Sequence, residues 1–100
     1  MTVPVFDEVV HAPNRLQICA MLAAVGSAGF SVVRDDLGIS DSALSKQVKV
    51  LQTVGYVKPA KTSGQAHRST WLSPTAAGRD ALAGHLAELR RIADPAQPES

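Results

Sequence analysis

Few side chains in this 100-residue chain are placed to do chemistry, and most of them lie between Leu37 and Leu51. At about 100° per residue, Leu44, Val48, Leu51 and Val54 share one side of a helix, while Ser42, Ser45, Lys46, Lys49 and Thr53 share the other. The second face offers hydroxyls and ammonium groups and no carboxylate. It can donate hydrogen bonds and positive charge, which suits a helix laid against a polyanion. Lysine meets a guanine edge or a phosphate, and serine donates to either. Lys46 stands nearer the helix start and is better placed to see bases than Lys49. Ser42 could equally help cap the helix.

Charge follows the same stretch. From Ser40 to Ser73 the chain carries Lys46, Lys49, Lys58, Lys61 and Arg68 against Asp41 alone, a net of +4 in a protein whose total is only +1. A basic segment inside an otherwise acidic chain is an electrostatic footprint for nucleic acid. Arg68 sits where a hairpin leaves its loop and reads as a phosphate or minor-groove contact. Lys61 and His67 are lesser candidates in the same loop.

The remaining reactive types read as structural. Trp71, in a strand with apolar neighbours, belongs in the core. Cys19 lies in an apolar helix and reads as a small buried hydrophobe, because a redox role needs access and a stabilised thiolate. His11, His67 and His85 are far apart with no carboxylate or Cys at ligand spacing, which argues against a metal site. His85, on the last helix, reads as interface packing, with a pH response the sharper alternative. No Ser-His-Asp pattern, phosphate-cradling glycine loop or apolar carboxylate pair is present. The chain reads as a non-enzyme without a cofactor.

These residues need elements to present them. Phe6, Val9 and Val10 form an apolar edge on an N-terminal turn. Pro13 and Asn14 start a first helix, 13–26, which is apolar nearly all round and ends at Gly26. Phe30 starts a short strand or closes the loop. Ser31 is a candidate cap for a helix through Leu37. Gly38 permits a sharp turn, Ile39 pins it, and Ser40 or Asp41 caps the two-faced helix, 41–54. Two helices joined by such a turn make a helix-turn-helix. Residues 56–73 then read as a β-hairpin, with Pro59 arguing for an edge strand. Thr75 caps a last helix, 75–93, with a stripe of Leu82, Leu86, Leu89 and Ile92. The tail, 94–100, has two prolines and no periodicity and reads as disordered. The architecture is α+β, mainly α: a winged helix over residues 1–93.

One hundred residues make one small domain of modest stability, so pairing with a second copy is plausible. The two-sided apolar first helix points the same way. No apolar run approaches a membrane span, no secretory signal opens the chain, and a lone Cys fits a reducing compartment. The expectation is a cytoplasmic protein.

The ordered set of pieces resembles the short winged-helix transcriptional regulators of the MarR/ArsR type, without a separate effector domain. The pieces are His11-Ala12-Pro13-Asn14-Arg15-Leu16, Leu37-Gly38-Ile39-Ser40-Asp41-Ser42-Ala43-Leu44-Ser45, Gly55-Tyr56-Val57, Arg68-Ser69-Thr70-Trp71-Leu72 and Thr75-Ala76-Ala77-Gly78-Arg79. The resemblance implies a homodimer on double-stranded DNA at a palindromic operator, most simply a repressor. It places Ser42, Ala43, Ser45, Lys46 and Lys49 on the DNA-facing side and Arg68 on the wing. It makes the first and last helices the dimerisation helices, through Leu16, Leu82, Leu86, Leu89 and Ile92. Three features depart from the pattern: Pro74, which should stop its strand early, Val50 where Lys or Arg is common, and a wing with one Arg and one His. Two further readings stay open. One is a protein-interaction module such as an antirepressor. The other is a regulator gated by a small apolar effector at the dimer seam, near Cys19, Met21 and Leu86.

Overall fold

A computed structural model describes residues 2–61 and 70–94. The elements in chain order are α1 (Glu8–His11), α2 (Pro13–Val25), β1 (Ala28–Gly29), α3 (Phe30–Leu37), α4 (Asp41–Thr53), β2 (Val57–Lys61), β3 (Thr70–Pro74) and α5 (Ala76–Ala93). The strands form one antiparallel sheet in the order β1-β3-β2. Helices dominate, and the small sheet with its C-terminal helix makes a winged helix fold. His67 and Arg68 of the expected wing, the side chain of Lys61 and most of the 94–100 tail lie outside the described residues.

The core sits where the faces of α2, α4 and β3 meet. Ile18, Leu22, Val33, Leu44, Leu51 and Leu72 are fully buried there, joined by Val10 from α1 and Leu82 from α5. Cys19 is buried in this cluster, and burial pushes its thiol up to about 11.

Local chemistry sets the helix ends. Asp7 caps α1 by accepting from the Val10 amide at 3.0 Å. Pro13 opens α2, where its missing N–H costs nothing. Gly38 at φ 69° ends α3, and the Gly38 and Ile39 amides both donate to the Arg34 carbonyl. Ser40 Oγ then accepts from the Ala43 amide at 3.1 Å and starts α4. Thr75 caps α5 by accepting from the Gly78 amide. Gly78 is required by packing: a Cβ built there would stand 2.1 Å from the Tyr56 carbonyl oxygen.

Several expectations need correction. Ser31 does not cap α3; Gly29 holds the N-cap and the helix begins at Phe30, which belongs to no strand. The short strand lies one step earlier, at Ala28–Gly29, because Ala28 and Gly29 pair with Leu72 and Trp71. Pro74 does not cut its strand short. It is the last residue of β3, opposite Val57, a terminal position where a proline is tolerated. Trp71 is not core. Strand alternation turns Leu72 inward, so Trp71 points out, 46% exposed, between Gly29 and Ala60 on its neighbouring strands. Val54 lies past the last turn of α4 and is exposed, unlike Leu44, Val48 and Leu51.

Candidate nucleic-acid interface

The polar face of α4 is open to solvent. Ser42, Ser45, Lys46 and Lys49 are exposed, and Ala43 is half-buried with its amide committed to the cap. The one carboxylate of the helix, Asp41, is drawn aside: Arg34 Nη1 holds its Oδ1 at 2.8 Å, and Arg34 Nε holds Asp35 at 2.9 Å. These contacts raise the Arg34 pKa, through Asp35 first and Asp41 second. They also tie α3 to the start of α4. The two lysines, about one turn apart, are therefore left as the charge of this face. Two hydroxyls are partly spent within the chain. Ser42 Oγ lies 3.3 Å from Ser40 Oγ, and Thr53 donates to the Lys49 carbonyl at 2.8 Å.

Beside this face a cleft of about 590 Å³ runs between α4 and the sheet. Val48, Leu72, Phe30 and Pro59 give it an apolar floor, and Ser45, Lys49, Gln52 and Thr70 give it a polar rim. Charge and resemblance do not single out Gln52; its spacing of i+3 from Lys49 is the signal the sequence offers. Across the helix, the stems of Lys46 and Lys49 border an apolar hollow with Val50 and Val54.

The residues expected at a seam with a second chain divide. Leu82 is 6% exposed within one chain and packs in that chain's own core. Leu16 packs partly against the same core. Leu86 and Ile92 are exposed on α5 and Leu89 is half-buried. Val3, Val5 and Phe6 of the N-terminal segment add exposed apolar surface, and the Val5 N–H ties the segment to α5 by a hydrogen bond to the Gly84 carbonyl.

The histidines are placed otherwise than expected. His85 is fully buried inside the single chain and is not an interface residue in it. His11, 74 positions away, comes within 3.0 Å of it. Asp7 stands beside them, but its Oδ1 accepts from Val10 and its Oδ2 from the Tyr56 hydroxyl at 2.6 Å. Among the described residues no group of three or more His, Cys, Asp or Glu could hold a metal ion. None of the described helices is long and apolar enough to cross a membrane.

Comparison with known proteins agrees with this geometry. No curated protein matches the chain. A transcriptional regulator homologue from Pyrococcus horikoshii OT3 superposes with a TM-score of 0.81 at 24% identity, covering 86% of this chain and 85% of its own. The regulator PcaV from Streptomyces coelicolor, solved with its natural ligand, gives 0.73 at 18% identity over 87% of this chain and 60% of its own. ZitR from Lactococcus lactis, a zinc-responsive MarR family member, gives 0.67 at 22% identity over 85% of this chain and 58% of its own. The chain thus spans about three-fifths of the length of these last two. At such identities the likeness is one of fold, shared with MarR-family transcriptional regulators. Residues 14–93 match the family model described as a winged helix DNA-binding domain, and the chain belongs to that family.

Proposed function

We propose that this protein is a homodimeric, sequence-specific DNA-binding transcriptional regulator in the cytoplasm, acting as a repressor at a palindromic operator. The observation that carries the reading is the exposed face of Ser42, Ser45, Lys46 and Lys49 on the second helix of a winged helix-turn-helix, with its one acid neutralised by Arg34. In a dimer, two such helices sit in successive major grooves roughly 34 Å apart and occlude the promoter. Ser42, Ser45 and Lys46 reach bases or phosphates near the helix start, Lys49 reaches phosphate, and Arg68, with Lys61 and His67 as lesser candidates, contacts phosphate or the minor groove. Support for the dimer comes from the exposed apolar side chains Val3, Val5, Phe6, Leu86 and Ile92, and Leu16 and Leu89 are half-buried.

The test is titration of the protein's own promoter DNA at several salt concentrations. Affinity that falls steeply with salt, and falls further on joint Lys46→Ala and Lys49→Ala substitution, supports the reading. Salt-independent binding overturns it. A second reading, a protein-interaction module, is favoured by the apolar hollow of Val50 and Val54 between the lysine stems. Its mark is a complex with another regulator that survives loss of both lysines. Gating by a small molecule has the ligand-bound PcaV structure as its support. Cys19 is buried, so it offers such a ligand no open face.

A further inference from the structure

The segment ahead of α1 is strapped to α5 by polar contacts that DNA recognition does not use. The Val5 amide donates to the Gly84 carbonyl at 3.0 Å, and the Asp7 amide donates to Nδ1 of His85 at 3.0 Å. A backbone amide can only donate, so His85 Nδ1 carries a lone pair and the ring proton sits on Nε2. Nε2 lies 3.0 Å from Nδ1 of His11. That proton is therefore given to His11, whose own proton is on its Nε2. This arrangement needs His85 as its Nε2–H tautomer and Nδ1 of His11 as an acceptor. The Phe6 ring closes the group, with its centroid 4.7 Å from His11 and 4.8 Å from His85.

An added proton has no acceptor in this arrangement. On His85 it occupies Nδ1 and faces the Asp7 N–H. On His11 it occupies Nδ1 and faces the His85 Nε2–H. Switching the His85 tautomer to relieve the second conflict creates the first. Each outcome sets donor against donor around a fully buried ring. Charged and titratable groups near the pair come from several elements. His11 comes from α1, Asp7 from the N-terminal segment, Cys19 and Arg15 from α2 and Tyr56 from the turn between α4 and β2. Glu88, one turn along α5, is engaged by Arg91. Burial and His11 disfavour an imidazolium at position 85, and the Asp7 carboxylate only partly offsets them.

The same segment reaches α4. Arg15 Nε donates to the Val9 carbonyl at 2.6 Å, and Arg15 Nη1 donates to Gln47 Oε1 at 2.9 Å. Val9 lies between Asp7 and His11 in the chain, and Gln47 lies beside Lys46. Arg15 thus links the strap to the helix that carries the cationic face.

We propose that the His11–His85 pair is a proton-sensitive latch: while neutral it holds the N-terminal strap on α5 and, through Val9 and Arg15, steadies α4, and on protonation it lets the strap go. The consequence for DNA rests on the function proposed above, whereas the latch itself does not.

The latch is tested on the free protein by hydrogen exchange, corrected for intrinsic rates, and by NMR of the histidine ring nitrogens between about pH 8 and about pH 5. At the upper end His85 is the Nε2–H tautomer and the Asp7 amide is protected. At the lower end protection of the Val5 and Asp7 amides falls by about tenfold or more. His85→Asn keeps an acceptor oxygen where Nδ1 stood and cannot take a proton, so its protection does not depend on pH. His11→Ala removes a neighbour that disfavours an imidazolium at position 85, and release moves to higher pH. An Nδ1–H tautomer at position 85, or unchanged protection once His85 is protonated, overturns the latch. If His85→Asn does not fold, an unmoved release midpoint in His11→Ala overturns it instead. DNA affinity measured over the same range separates the two proposals. Unchanged affinity while the strap is released overturns the link through Arg15. No DNA binding at any pH overturns the DNA reading and leaves the latch to be decided by exchange.

Discussion

Replacing Gly78 by alanine tests how α5 is seated on the rest of the fold. In an exposed helix interior this change is favourable by about 1 kcal/mol. Here the new Cβ would stand 2.1 Å from the Tyr56 oxygen and 2.9 Å from its carbon, where ordinary contact begins at 3.4 Å. Backbone on both sides must therefore separate by more than an ångström. That movement strains three bonds that converge on the same point: Thr75 N–H to the Tyr56 carbonyl, the Thr75 hydroxyl to the Gly55 carbonyl, and the Gly78 amide to Thr75 Oγ1. At about 1 kcal/mol for each hydrogen bond, losing them costs roughly 3 kcal/mol, and the helical preference returns about 1. The expected net loss is about 2 kcal/mol. In a domain of this size that lowers the melting temperature by roughly 8–16 °C. Thermal and denaturant unfolding measure it directly. Gly84→Ala is the control, because its Cβ would meet Val3 O at 3.1 Å in a terminal segment that can yield. A Gly78→Ala protein as stable as the parent, or more so, refutes the close approach and the placement of α5 with it.

Three other outcomes follow from the same geometry. Ser40→Ala removes the cap of α4 and should cost about 1 kcal/mol in urea unfolding, with a parallel loss of DNA affinity. Stability should fall as pH drops. His85 has its folded pKa held below the ordinary 6.5, so the unfolded chain takes up the proton first. The contribution is full above about 6.5 and is lost as pH falls toward the folded value, with a slope of at most about 1.4 kcal/mol per pH unit from this one proton. Below that range Asp7 adds a further loss: burial pushes its carboxyl up, but the Tyr56 hydroxyl and the Val10 and Val9 amides outweigh this and hold it below 3.8. Cys19, buried and shifted up to about 11, should react with thiol reagents at neutral pH only after denaturant is added.

The parts of this fold that were legible in the sequence are those set by neighbours a few residues apart. The stripe of Leu44, Val48 and Leu51, the turn glycine at 38 and the capping types at Ser40 and Asp41 are local signals, and α4 with its exposed lysines lies where they indicate. Trp71 was misread because alternation gives the period of a strand and not its phase. Only pairing with Gly29 and Ala60 decides that Leu72 faces in. The two-residue strand β1 has no pattern of its own and exists because β3 supplies its partner. Leu82 looks like one member of an even stripe, yet packing buries it while Ile92, nearly three turns on, is exposed. The contact of His11 with His85 and the approach of Gly78 to Tyr56 join distant parts of the chain. Neither leaves a local trace.

The central claim is that the cationic face of α4 holds DNA. It is tested most directly by fluorescence anisotropy of a labelled promoter duplex over a series of salt concentrations, with the parent protein and the Lys46→Ala, Lys49→Ala double variant. Each lysine on a phosphate contributes about 0.9 to the slope of log K against log salt. A dimer that loses four such contacts should therefore show a slope shallower by up to about 3.6, with weaker binding throughout and unfolding unchanged. Equal slopes and equal affinities for the two proteins would contradict the account.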